Sequence, residues 1–291
     1  MASENEPDFP GFSRDATVEA VRSFYHLVTS FHIPREALKE PPKEGWPKLT
    51  REFLAPLKKT DTVYDLLAHL PYLNWDWARD GLEIDYEMCA VDYVGSGAQK
   101  TLERGKRGNM IDPDPDMALL PPSVVSLACT PGHRNGYWLL LDTETGLITW
   151  YFNQGYTDMN YWAQRRMFPD SPGEYWNMSA VGIKQEDRWR GQSTWPVVEY
   201  FELLKEQYRK LEIVRYSSFA PQESKPSADI MMKVPIRSTK VYCHIFEDEE
   251  VDPDVESLRE IYRDHGWPEK DFESQRETCM AAIDDYAEDN L

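Results

Sequence analysis

The chain has 291 residues, 41% of them apolar, and it is rich in aromatic side chains: 10 Trp, 16 Tyr and 11 Phe. A chain of that length and content buries a core without metal or disulfide staples, which excludes disorder throughout. Its net charge of −19 repels phosphate backbones, argues against a DNA-binding protein and favours basic partners.

Residues 1–10 are polar and acidic, without the basic and apolar regions of a secretory signal. No apolar run approaches the length of a membrane span, so no membrane partner is expected. Residues 15–32 carry Val18, Val21, Tyr25, Val28 and Phe31 at spacings of three and four, which predicts a helix with one apolar stripe, stopped by Pro34. A proline-punctuated connector follows. Residues 60–70 predict a second helix, with Thr60 or Asp61 as its cap and Val63, Leu66, Leu67 and Leu70 facing inward. Pro71 ends it.

Residues 90–94 have strand character and run into Gly95-Ser96-Gly97. With Lys100 behind it, this stretch imitates the start of a phosphate loop. The third glycine of a dinucleotide fingerprint and the GK[ST] of a P-loop are both missing, so a tight turn is expected. Lys100, Arg104, Lys106 and Arg107 form a small basic patch, a weak candidate for anion binding on an otherwise acidic chain. Alternating prolines at 112–116 predict a loop. Residues 124–129, 137–142 and 147–152 predict three strands, the last two joined by Thr143-Glu144-Thr145-Gly146 into an antiparallel hairpin.

Residues 153–192 are aromatic and weakly periodic, which predicts a long insertion. Tyr156, Tyr161, Trp162, Trp176 and Trp189 are its candidate partner-binding residues, because Trp and Tyr anchor interfaces. Residues 194–211 predict the strongest helix, with early Glu and late Lys and Arg matching the helix dipole. A linker at 221–226 and two short strands at 229–234 and 240–246 come next. From Glu247 onward there are 17 acidic and 4 basic side chains, a net of −13, so most of the excess charge lies at the end. Residues 254–265 and 271–288 have helical spacing there, which predicts two amphipathic helices docked with their acids outward. The organisation expected is an α+β body over 1–214 and a linker, two strands and an acidic helical tail over 215–291.

Chemistry-bearing motifs are few. No GxSxG or HExxH is present, and the six histidines are scattered, which predicts neither a nucleophile elbow nor a metal centre. No cofactor is expected. Cys89, Cys129, Cys243 and Cys279 are widely spaced and form no CxxC, which predicts buried thiols in a reducing, cytoplasmic or nuclear compartment. Asp284, Asp285 and Glu288 form a DDxxE string near the C-terminus. On a helix Asp284 and Glu288 share a face, a geometry suited to Mg²⁺ or a guanidinium, although a solvated acidic helix end has the same sequence.

Two resemblances bear on function. Gly-Tyr-Trp-Leu-Leu-Leu-Asp at 136–142, Thr-Gly-Leu-Ile-Thr-Trp at 145–150 and a closing helix after Trp195-Pro196 resemble the second half of the SUKH superfamily. Gly45-Trp46-Pro47 and Leu70-Pro71-Tyr72 agree with its front half, and His265-Gly266-Trp267-Pro268 is shared with a group of fungal proteins bearing the same landmarks. The SUKH resemblance implies a mixed fold with an antiparallel-rich sheet and flanking helices, acting as a non-enzymatic protein-binding module. The DDxxE string is similar to that of fungal arginine-containing cyclodipeptide synthases. That second resemblance implies an aminoacyl-tRNA-dependent enzyme of secondary metabolism, with Asp284, Asp285 and Glu288 holding arginine and the basic patch contacting tRNA phosphates.

Overall fold

The computed structural model describes residues 11–74, 82–85, 88–104, 120–129, 137–152, 189, 194–215, 241–243 and 253–290. Helix α1 spans Arg14–Phe31; the Ser13 side chain caps it by accepting from the Ala16 amide at 3.4 Å. Val18, Val21, Phe24, Tyr25, Val28 and Phe31 are all buried, so the stripe read from the sequence is the face that packs. Helix α2 is a single turn, Arg51–Leu54, and α3 spans Asp61–His69 with Thr60 Oγ1 accepting from Val63 N at 3.3 Å.

Gly45 sits against the end of α3 with φ +84, and a Cβ there would stand 2.8 Å from the Ala68 carbonyl oxygen. Glycine is required on both counts. The next residue exploits the approach: Trp46 donates its amide to Ala68 O at 2.7 Å and its indole N–H to Leu70 O at 2.8 Å. Two carbonyls left open by the helix end are thereby satisfied. The connector also contains a short strand, β1 (Leu38–Lys39), paired antiparallel with β2 (Tyr72–Leu73). Neither strand is visible in local periodicity, since two-residue ladders have none.

The main sheet has six strands in sequence order, all antiparallel: β3 (Glu83–Asp85), β4 (Met88–Ala90), β5 (Val124–Cys129), β6 (Tyr137–Asp142), β7 (Leu147–Phe152) and β8 (Thr194–Pro196). The fold is α+β, with helices flanking this curled sheet. Strands β5 to β7 lie where the sequence predicts them, and the β6–β7 hairpin runs in register from Tyr137 opposite Phe152 to Asp142 opposite Leu147. Val91 still donates its amide to Leu127 O at 3.0 Å, but residues 92–94, expected to extend the strand, leave the ladder where Asp92 turns inward to meet Lys39 at 2.8 Å.

Helix α4 spans Ser96–Glu103 and α5 spans Val197–Arg209. The helix expected over 194–211 therefore starts later, because Thr194, Trp195 and Pro196 pair with Thr149, Ile148 and Leu147 as the sheet's edge. Proline fits there, since an edge position needs no donor. Tyr200 on α5 packs its ring 5.8 Å from that of Trp195 on β8 and donates its hydroxyl to Asp85 Oδ2 on β3 at 3.4 Å. The two outer strands thus close on the same side chain, which is how the sheet curls around α5.

Strands β9 (Ile213–Arg215) and β10 (Val241–Cys243) form a separate antiparallel pair. The strand predicted at 229–234 lies outside the described residues. Helices α6 (Pro253–Asp264) and α7 (Phe272–Asn290) complete the chain and pack on the body through aromatic rings. Phe31 of α1 stacks on Tyr262 at 4.3 Å and meets Trp267 at 4.3 Å, and Trp267 meets Phe272 edge-on at 5.0 Å. Three donors from this tail end on carbonyls near helix C-termini: Trp267 Nε1 to Tyr208 O at 3.0 Å, Arg259 Nε to Leu211 O at 2.8 Å and Arg276 Nη2 to Ile33 O at 2.9 Å. Helix α1 has no basic residue in its own last turn. Arg276 supplies the missing positive charge at its negative end.

Candidate functional site

Three places bear on function: the start of α4, the end of α7 and the aromatic faces of the sheet. At the first, the Asp92 side chain is 1% exposed and pairs with Lys39 Nζ at 2.8 Å, while its Oδ1 accepts the Val94 amide at 3.1 Å. Tyr72 and Tyr93 lie alongside, each donating to a backbone carbonyl: Leu67 O at 2.6 Å and Ser126 O at 2.9 Å. Burial, and then the Asp92 charge, raise the Tyr25 phenol above its ordinary value. Burial raises Tyr72 further, with Tyr93, Asp92 and Tyr25 adding to it.

This cluster fixes how the chain enters α4. A Cβ on Gly95 would stand 2.6 Å from Asp92 Oδ2, so the glycine is needed for a carboxylate to approach, not for a phosphate. An acid against the N-cap residue of α4 repels phosphate, and Gly95-Ser96-Gly97 is a turn into a helix, as its missing third glycine predicts. Lys100 and Arg104 lie one turn apart, exposed, at the end of this helix. Lys106 and Arg107 lie outside the described residues.

At the second place, α7 continues as helix through Asn290. Phe272, Cys279 and Ile283 are its buried side chains, with Met280 and Tyr286 partly buried against the core. Asp284 is half-buried and Asp285 is exposed; the Glu288 side chain lies outside what is described. Both aspartates are held on a docked helix, before its last turn.

At the third place, Trp189 is 1% exposed and belongs to the hydrophobic core. As placed, it packs the interior and presents no surface, which sequence composition could not reveal. Tyr156, Tyr161, Trp162 and Trp176 lie outside the described residues. The central strands are buried on both faces. One face carries Trp195, Ile148, Leu141 and Val125 in register and turns toward α5. The other carries Trp138 with Tyr151, their rings 6.2 Å apart, and the row Ser126, Leu140, Thr149 and Thr194. On this second face Trp138 Nε1 and Thr194 Oγ1 are buried without a hydrogen bond. Sequence reading missed both, because an apolar strand run does not say which polar atom will lack a partner.

Among the described residues, no group of three or more His, Cys, Asp or Glu is placed to hold a metal ion, and no helix is long and apolar enough to cross a membrane. Cys129 lies on β5, Cys243 on β10 and Cys279 on α7, where its thiol faces the Ile261 carbonyl at 4.0 Å. No protein-family model matches the chain, and no curated protein and no solved structure matches it either.

Proposed function

We propose that the chain is a non-enzymatic interaction module of SUKH type that holds a basic protein partner. The arrangement of the sheet supports this reading. Strands β6 and β7, which lie in the SUKH-like sequences at 136–142 and 145–150, are interior strands of an antiparallel sheet. Strand β8 and α5 follow after the variable stretch, in the order the resemblance implies. The excess of acid over the last 45 residues adds long-range attraction for a basic partner, which speeds encounter more than it tightens binding.

The test is affinity capture from cells with the intact chain and a variant carrying Tyr156→Ala, Tyr161→Ala, Trp162→Ala and Trp176→Ala. Trp189 is kept, because its burial makes it part of the core. The reading expects the variant to keep its melting temperature and lose the captured protein. Unchanged capture refutes it.

A second reading is the tRNA-dependent arginine-containing cyclodipeptide synthase. It is favoured by the DDxxE acids standing on one continuous helix. Untargeted mass spectrometry of yeast expressing the chain would then show an arginine-containing small molecule. The Asp284→Ala/Asp285→Ala culture would lack it.

A further inference from the structure

We propose that Cys89 and Cys129 are a redox-active cross-strand pair that a peroxide closes to a disulfide. The two are far apart in sequence, but the ladder between β4 and β5 places them directly opposite each other. Directly opposed residues of an antiparallel pair project to the same face, so the two thiols share one side of the sheet. Two residues along the same ladder, Val91 N donates to Leu127 O at 3.0 Å. Hydrogen-bonded and non-hydrogen-bonded positions alternate, so Cys89 and Cys129 occupy a hydrogen-bonded position with Cα atoms about 5.5 Å apart. That lies inside the range of about 4.4–6.8 Å that a disulfide spans.

The Cβ atoms at such a position stand about 1 Å wider than a relaxed disulfide prefers. A bond formed here is strained, and strained disulfides are the readily reduced ones. The geometry therefore suits a reversible bond better than a permanent staple. Both residues are buried, at 3% and 0% exposure, and burial pushes the Cys129 thiol up to about 12. Reaction thus requires local opening of the sheet at β4 and a small oxidant, for which hydrogen peroxide is the chemical type.

Cys89, the less buried, attacks one peroxide oxygen as the thiolate. The O–O bond breaks, hydroxide leaves, and Cys89 becomes a sulfenic acid. Cys129 then attacks the Cys89 sulfur, the S–O bond breaks, and the departing hydroxide takes the Cys129 proton to leave as water. Two thiols and one peroxide give one disulfide and two waters. The bond ties β4 to β5 and closes the loop that carries α4, with its exposed Lys100 and Arg104.

The full chain is exposed to hydrogen peroxide, alkylated in denaturant and digested without reduction. The expected result is an intact mass lowered by two hydrogens, a linked Cys89–Cys129 peptide as the dominant cystine, an alkylated Cys279, and full reversal by dithiothreitol. In a Cys89→Ala chain no cystine to Cys129 forms. If Cys89 and Cys129 both emerge alkylated, or if either is driven to sulfinic acid without the cross-link, the proposal is overturned. A cystine joining Cys129 to Cys243 or Cys279 overturns it equally, and these readouts on the unmutated chain do not depend on the variant folding.

Discussion

Replacing Trp267 is the most informative perturbation of the tail. Its side chain is 8% exposed and lies between Phe31 and Phe272, with ring centroids 4.3 and 5.0 Å away. Its indole N–H donates to Tyr208 O at 3.0 Å, near the C-terminal end of α5. A buried tryptophan removes about 200 Å² from water, worth about 5 kcal/mol as an upper bound at about 25 cal/mol per Å². Trp267→Ala should therefore cost about 3–5 kcal/mol, within the range of large-to-small core changes. Trp267→Phe keeps the ring contacts and removes only the indole donor, while the Leu211 amide still donates to Tyr208 O at 3.1 Å, so it should cost no more than about 1 kcal/mol. Urea unfolding followed by far-ultraviolet circular dichroism measures both. The difference between the two variants separates ring packing from the hydrogen bond. If Trp267→Ala lowers stability by less than about 1 kcal/mol, the tail is not held through this cluster.

Thr194→Val replaces a buried, unpartnered hydroxyl by a methyl of the same shape on a strand, and should raise stability by about 1 kcal/mol in the same assay. Gly95→Ala drives a Cβ against the Asp92 carboxylate and should lower the melting temperature, whereas Gly97→Ala, with open space around it, should not. The buried Tyr25 phenol has a folded-state pKa raised above its unfolded value, so its contribution is complete below about pH 10 and is lost as pH rises further. Alkaline titration should show unfolding that begins above about pH 10 and is delayed in Tyr25→Phe. Removing one partner of the Lys39–Asp92 pair by Lys39→Met should cost about 3 kcal/mol, because the buried Asp92 carboxylate loses that cation.

The elements legible in the sequence are those whose information is local. Helices α1 and α3 show their apolar spacing and caps, and β5 to β7 show apolar runs separated by a polar turn ending in glycine. Strands β1, β2 and β8 are illegible because each is two or three residues long and exists only through its partner. The helix expected from Thr194 begins at Val197, and only the pairing of Thr194 with Thr149 shows the strand before it. The same limit applies to the sites. The DDxxE string lies on a helix as its spacing implies, whereas the burial of Trp189, the Lys39–Asp92 pair and the facing Cys89 and Cys129 all depend on long-range contacts that no local pattern encodes.

The tail's charge and its docking residues occupy different sides of the same helices, which makes them separable. Phe272, Cys279 and Ile283 are buried, while Glu277, Asp285 and Asp289 are exposed on the same helix. Truncation would remove both sets together and expose the Phe31 cluster, so loss of function in a truncated chain would say nothing about charge. Neutralising Glu277, Asp285 and Asp289 to the corresponding amides leaves the docking face intact and should change stability by less than about 1 kcal/mol. Under the interaction reading, that variant should associate more slowly with its captured partner and show a smaller salt dependence of association. Under the enzyme reading, loss of Asp285 alone should abolish product, and the loss should not respond to salt. The two readings therefore part on kinetics as well as on chemistry, with a variant that keeps the fold.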